Sequence, residues 1–287
     1  MYVIFGANGH TGSVAAHTLL ERGKKVRVVA RDASKLSALR AKGAEVVTAD
    51  VTDAAAVENA LAGAEGAWLL CPPDNATNDL FARNRKITDN YAAALGKHRV
   101  KHAAFLSSVG GHLPSGTGPI ATLHYAETKL TEVGTTLTYV RAAYFMENHL
   151  ASAQPMKTQG VLPVFGGGEE YPFPQVATRD IGRIAAEALL APPAKHEWIE
   201  LSGPKEYSFK DVAAEASEIL GRAVTPTVLP LDAVVPTYTQ FGMSTHMAGL
   251  YREMIEAFGK GLGFEGNQRS MRGTVTLGEV LRPALRS

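Results

Sequence analysis

The chain has 287 residues, 45% apolar and 20% charged, with 29 basic against 28 acidic side chains and a formal charge of +1. That balance is globular and excludes a disordered chain, a broad electrostatic grip on nucleic acid and a charged grip on an anionic membrane. One cysteine rules out an internal disulfide or a cysteine-built zinc site, and no apolar run nears the ~20 residues that span a bilayer, so a soluble, cytoplasmic chain is expected.

Residues 2–5 read as a strand that breaks at Gly6, and 12–22 as a helix closed by Gly23. A β-branched strand over 26–30 follows, then a helix near 34–41 stopped by Gly43, and a third strand over 45–48. Thr52 or Asp53 is placed to cap a helix over 53–61. A strand over 67–70 stops at Cys71-Pro72-Pro73, a long helix runs over 78–95, and a fifth strand covers 102–106. Continuous apolar strands separated by helices mark a parallel sheet covered on both faces. Beyond a Gly/Pro/Ser-rich loop at 107–119, the pattern predicts a helix over 121–133, a strand over 137–140, a helix over 179–190 and a strand over 198–201. The expected class is α/β: a doubly wound parallel sheet of the Rossmann type with a smaller, mostly helical substrate cap. Residues 1–143, completed by about 176–201, would bind a dinucleotide, and 144–175 with 202–287 would form the cap.

The string Gly6-Ala7-Asn8-Gly9-His10-Thr11-Gly12 lies between the first strand and the first helix. A glycine string alone is a weak signal, but strand, tight turn and helix are the context a pyrophosphate site needs. The first glycine permits the turn, the second lets amides approach the phosphates, and the third allows close packing of helix on strand. At the end of the second strand, where a carboxylate would receive an NAD ribose, stands Arg31, with Asp32 next and Lys35 nearby. A guanidinium can pair with a 2′-phosphate that a carboxylate would repel, so NADP(H) is favoured, with NAD(H) left open by Asp32. Asp50-Val51 ends the third strand, and Asp50 reads equally as an adenine contact or a helix cap. Cys71-Pro72 falls where the nicotinamide ribose is expected, although the proline also serves to end the strand.

Tyr125 and Lys129 are four apart on a predicted helix, so both project from one face. An ammonium beside a phenol makes it a better acid, and Ser108 past the fifth strand could hold a substrate oxygen while Tyr125 supplies the proton. Tyr125 reads equally as a helix-surface aromatic. The histidines show no zinc spacing and the chain no Gly-x-Ser-x-Gly elbow, so neither a metal centre nor nucleophilic hydrolysis is expected.

Gly6/Gly9/Gly12, Arg31, Ser107-Ser108, residues 124–129 and Tyr139-Val140-Arg141 through Phe145-Met146-Glu147-Asn148 resemble NmrA-like proteins, atypical short-chain dehydrogenases/reductases. The likeness is strongest to the flavin-free NAD(P)H:quinone oxidoreductases of that family, and it extends over residues 1–220. It implies that the loop residues and Arg31 bind the dinucleotide, that Ser107 and Lys129 touch it near the nicotinamide, and that Tyr144, Phe145 and Asn148 line the cleft. Phe145 and Met146 read equally as core packing. Many family members lack the superfamily tyrosine, and some are regulators that sense cofactor without turnover. Tyr125 stands at the superfamily spacing from Lys129 and favours catalysis. The leading expectation is an NADPH-dependent reductase of a quinone or similar small electron-poor acceptor, with a homodimer left open. The rival is a redox sensor that binds NAD(P) and docks on a partner protein.

Overall fold

The computed structural model describes residues 1–287. Its strands are β1 (Tyr2–Phe5), β2 (Val26–Ala30), β3 (Glu45–Thr48), β4 (Gly66–Leu69), β5 (His102–Ser108), β6 (Thr136–Ala142), β7 (Tyr144–Phe145), β8 (Val161–Phe165), β9 (Phe173–Val176), β10 (Glu197–Ser202), β11 (Glu206–Tyr207), β12 (Thr225–Leu229) and β13 (Arg269–Arg272). Its helices are α1 (His10–Glu21), α2 (Ser37–Ala41), α3 (Ala54–Leu61), α4 (Leu80–His98), α5 (Ala121–Thr131), α6 (Ala153–Gln159), α7 (Thr178–Leu190), α8 (Phe209–Leu220), α9 (Val234–Gln240), α10 (Thr245–Gly259) and α11 (Leu277–Arg286). None is long and apolar enough to cross a membrane.

Eight strands pair in parallel in the order β13-β10-β6-β5-β4-β1-β2-β3. Alternation sends Ile4, Val28 and Trp68 to the face covered by α1 and α7, and Val3, Phe5, Val29 and Leu69 to the face covered by α3, α4 and α5. Because both faces are dry, the strands are apolar almost throughout, which is why their pattern was readable. The order reverses at β1, with β2 on one side and β4 on the other. This switch point leaves a crevice beyond the carboxyl ends of the two strands, where ligands of such sheets bind.

The outer part has its own core, built from Met146, Met156, Leu162, Val212, Ala216 and Leu281. There β8 pairs with β12, and β9 lies between β7 and β11. Residues 269–272, expected in the cap, instead form the outermost strand of the large sheet, β13 on β10. Its Arg-Ser-Met-Arg sequence is half to fully exposed and carries no apolar alternation, as suits a solvent-facing edge strand. Residues 144–171, weakly periodic in sequence, break into β7, α6 and β8.

Candidate active site

The loop Gly6–Gly9 joins β1 to α1 at the switch point. Gly6 takes φ +63, a conformation that other residues adopt only with strain. A Cβ on Gly12 would lie 2.4 Å from the Gly6 carbonyl oxygen, so only glycine lets the first helical turn sit on the strand end. Gly9 occupies the N-cap position of α1 and has no side chain to cap it. The first amides of that helix therefore point into the crevice without an intrahelical partner, beside exposed Asn8, Gly9 and His10. Thr11 and Gly12 are buried beneath them. Several other helix starts carry side-chain caps: Asp53 accepts from the amides of Ala55 and Ala56, and Ser208 and Thr276 form capping boxes. The uncapped start of α1 has the donors and dipole sign that suit a diphosphate.

Arg31 is exposed at the end of β2. Asp32 turns back on its own loop, its carboxylate accepting from the Ser34 amide at 2.9 Å and hydroxyl at 2.7 Å, which holds it below the usual carboxylate range. Lys35 lies exposed in the same turn. Asp50 is not the cap of α3. It accepts from the Thr52 amide and hydroxyl at 2.8 and 2.7 Å, and Asp53 does the capping.

One helix holds the neighbouring strand ends in place, a role the sequence reading missed. From α4, Asn90 donates to the carbonyl of Val51 at 3.0 Å, Tyr91 to that of Leu70 at 3.1 Å, and Arg83 to that of Pro72 at 2.9 Å. These bonds shape the Val51 and Cys71-Pro72 turns at the crevice rim. Burial pushes the Cys71 thiol up to about 12, and its side chain packs against the core on the α4 side of the sheet.

The alternation of β5 separates its two serines. Ser107 is buried on the α5 side, where its hydroxyl donates to Glu127 at 2.6 Å and is not free for a ligand. Glu127 also accepts from Arg141 at 2.7 and 3.0 Å and from the Trp198 indole at 2.9 Å, and Arg141 reaches Glu265 at 2.7 Å. Ser108 lies half-buried at the strand end, paired in register with Ala142. Because Glu127, Ala126 and Leu130 take the inward face of α5, Tyr125 and Lys129 are turned to the flank that meets α4. There they line a shallow groove with Asp89, Ala92, Ala93 and Val133. The Tyr125 hydroxyl donates to Asp89 at 2.7 Å, which pushes the phenol above its ordinary value rather than below it. Lys129 pairs with Glu132 at 3.4 Å, and it is Arg85 that lies over the Tyr125 ring, 5.2 Å from its centre. The expected phenol–ammonium partnership is absent.

Beyond β6 the chain turns at Ala143 into half-buried Tyr144 and Phe145, while Met146 enters the outer core. Tyr144 is the centre of an aromatic chamber: its ring meets Phe173 edge-on at 5.5 Å, Phe258 at 6.2 Å and His149 at 5.4 Å. Asn148 is exposed beside it. Helix α10 closes this chamber by bridging to the sheet half. Ser244 donates to the carbonyls of Asn75 and Thr77, the His246 ring accepts from the Leu80 amide, and a Cβ on Gly118 would lie 2.0 Å from the Leu250 oxygen.

His149 and His102 are buried, and that burial lowers each to about 4 from 6.5. Unfolded, both would charge below pH 6.5, so the stability from keeping them neutral is full above that pH and lost as it falls toward 4. The expected loss is about 2 kcal/mol for each ring by about pH 5. Thermal melts from pH 7 to 4.5 check this, and His149→Gln should flatten the decline.

The pattern of the NmrA-like family matches residues 2–271. The chain belongs to the NmrA-like family. Among its relatives is the NAD(P)H azoreductase of Xenophilus azovorans, 26% identical over 258 residues that cover 88% of this chain and 86% of the relative. Quinone oxidoreductase 2 of Escherichia coli is 28% identical over 228 residues, 78% of this chain and 76% of the relative. Among solved structures, that of an NADPH-dependent quinone oxidoreductase of E. coli complexed with NADPH superposes with a TM-score of 0.81 at 24% identity, covering 98% of both chains. The likeness establishes that this NmrA-like protein has the doubly wound fold of that enzyme.

Proposed function

We propose that this NmrA-like protein is an NADPH-dependent reductase that passes a hydride to a quinone or a similar electron-poor acceptor. The observation that carries this reading is the uncapped start of α1, packed against Gly6 at the switch point, with exposed Arg31 at the end of the next strand. Amides at the helix start would hold the diphosphate, and the Arg31 guanidinium, with Asp32 turned to Ser34, would take the 2′-phosphate. The turn at Cys71-Pro72, braced by Arg83, and the end of β5 at Ser108 would flank the nicotinamide, whose contribution when bound is the hydride. Tyr144, Phe145 and α10 would exclude water and place the acceptor against it. The names of the azoreductase and the quinone oxidoreductase support both the cofactor and the acceptor class.

The test is the loss of NADPH absorbance with a panel of quinones, azo dyes and ketones, run in parallel with NADH. Turnover of quinones or azo dyes with NADPH supports the reading, whereas nucleotide binding with no turnover of any acceptor would favour the sensor. Arg31→Ala should weaken NADPH binding about 10- to 100-fold, the value of a charge-assisted pair, and leave NADH binding unchanged. Calorimetry on both nucleotides reads this directly, and equal losses would remove Arg31 from the 2′-phosphate site.

Tyr125, tied to Asp89 on the α4 flank, has no part in the proposed chemistry. Tyr125→Phe should leave kcat for quinone reduction within about tenfold, a barrier change under about 1.4 kcal/mol. A fall of several hundredfold would put the phenol back among the reacting groups.

A further inference from the structure

The segment between α10 and β13, residues 260–268, crosses the carboxyl ends of β5, β6 and β10. Its contacts reach both faces of the sheet. Phe264 packs with the apolar core on the α1 and α7 side. Glu265 pairs with Arg141 of β6 at 2.7 Å, and the Gly266 amide donates to the Glu200 carboxylate of β10 at 2.9 Å. Arg141 and Glu200 are partners in register, so both point to the α5 side. Leu262 lies on the turn that follows β5: a Cβ on Gly110 would stand 2.7 Å from its Cδ1. The next residue of that turn rests on the buried Glu127 cluster. A Cβ on Gly111 would stand 2.6 Å from the Ser107 hydroxyl oxygen and 3.1 Å from the Glu127 carboxylate. Val109, Gly110 and Gly111 are all buried. Two consecutive glycines leave the turn few side chains with which to hold itself, so its position is set by what packs on it. Leu262 and Glu127 do so, and Arg141 joins the two by bonding both Glu127 and Glu265.

We propose that residues 260–268 are a strap that fixes the acceptor side of the crevice, with Leu262 and Glu265 as positioning residues for the turn at 108–111. The assignment rests on the reductase reading above, in which the end of β5 at Ser108 flanks the nicotinamide. Neither residue touches a reacting group. Leu262 acts through the Gly110 backbone, and Glu265 keeps the strap seated by its pair with Arg141. The strap continues directly from α10, since the Leu262 amide donates to the Ala257 carbonyl at 3.0 Å. The helix that covers the aromatic chamber and the clasp on the β5 turn are thus one continuous piece. A displacement of about 1 Å at a reacting centre can cost about 100-fold in rate, so a turn that wanders beside Ser108 penalises hydride transfer. The Gly6–Gly9 loop stands at the end of β1, with β4 between it and β5. Loosening the strap therefore degrades acceptor turnover and spares dinucleotide binding.

Leu262→Ala removes the side chain over Gly110, Leu262→Met keeps its bulk, and Glu265→Ala releases the pair with Arg141. Amide hydrogen exchange reads the turn directly, because the Val109, Gly111 and Leu113 amides donate to the carbonyls of Ala142, Ser108 and Gly110. Residues 107–115 are expected to exchange at least about tenfold faster in Leu262→Ala and about threefold faster in Glu265→Ala, with residues 3–14 unchanged. With 2-methyl-1,4-naphthoquinone as acceptor, kcat/KM for the quinone should fall at least about tenfold in Leu262→Ala, while the NADPH dissociation constant stays within about threefold. Leu262→Met should return both exchange and kcat/KM to within about threefold of the unaltered chain. Should Leu262→Ala not fold, Glu265→Ala carries the same readouts. Unchanged exchange at 107–115, or faster exchange with kcat/KM unaltered, would overturn the assignment. Equal losses of NADPH affinity and quinone turnover, the mark of general loosening, would overturn it too. Faster exchange confined to 107–115 in a chain that oxidises no NADPH would leave the strap standing and remove the reductase reading.

Discussion

Gly12→Ala is expected to abolish nucleotide binding, raising the NADPH dissociation constant at least about 100-fold by calorimetry, a loss near 2.7 kcal/mol. The added carbon would lie 2.4 Å from the Gly6 oxygen, 2.8 Å from its carbonyl carbon and 3.0 Å from the Phe5 oxygen. All three are backbone atoms, so no side chain can swing aside. Either α1 lifts from the strand end or the Gly6 turn is pushed into the crevice, and in both cases the amides lose their aim. Overpacking of this kind should also cost about 1–3 kcal/mol of stability. Gly96→Ala is the matching control: it lies within α4 with nothing within 4 Å of the new carbon. That substitution should stabilise the fold by about 0.5–1 kcal/mol and leave binding alone. Retention of NADPH affinity within threefold in Gly12→Ala would show that the loop is not the phosphate site.

Removing either partner of the Glu127–Arg141 pair is expected to be the most destabilising single change in the sheet half. Their side chains are 7% and 5% exposed. Arg141→Ala would strand the Glu127 carboxylate, with Ser107 and Trp198 as its only donors, and Glu265 would lose its cation. Breaking such a buried pair costs about 3–5 kcal/mol, and a chain of this size should lose on the order of 10 °C in Tm. Glu127→Leu should cost a similar amount. The double variant Glu127→Leu/Arg141→Met should recover much of the loss, because the penalty lies in an uncompensated charge rather than in the missing attraction. Melting curves of the three variants supply the cycle, and additive losses would contradict it.

The legible parts of the molecule were those under a one-dimensional constraint. β1, β2, β4, β5 and β6 are largely buried on both faces, so runs such as Val26–Ala30 announce themselves, and Gly6 to Gly12 is local in sequence as well as in space. β13 was illegible because Arg269–Arg272 is an edge strand whose side chains meet solvent. Tyr125 and Lys129 share a helix face, as their spacing requires, but spacing does not say which face looks toward the crevice. Three-residue and four-residue steps fit any face, and the decision was made by Glu127, whose burial rests on Arg141, fourteen residues away. Nothing in a charged residue flanked by alanine and threonine signalled that. The aromatic chamber was partly readable at Tyr144 and Asn148, but Phe173 and Phe258 join Tyr144 only through the tertiary fold. Likewise, the α4 side chains that brace the strand ends look like an ordinary amphipathic helix until their acceptors are known.

The placement of β13 bears on biosynthesis. The strand that finishes the sheet comes from residues 269–272, and Glu265, which completes the surroundings of Arg141, lies just before it. A ribosome must therefore release the chain through residue 272 before β10 gains its neighbour, and through Glu265 before the Arg141 guanidinium gains its second anion. Until then β10 is an unprotected edge open to pairing with other nascent chains.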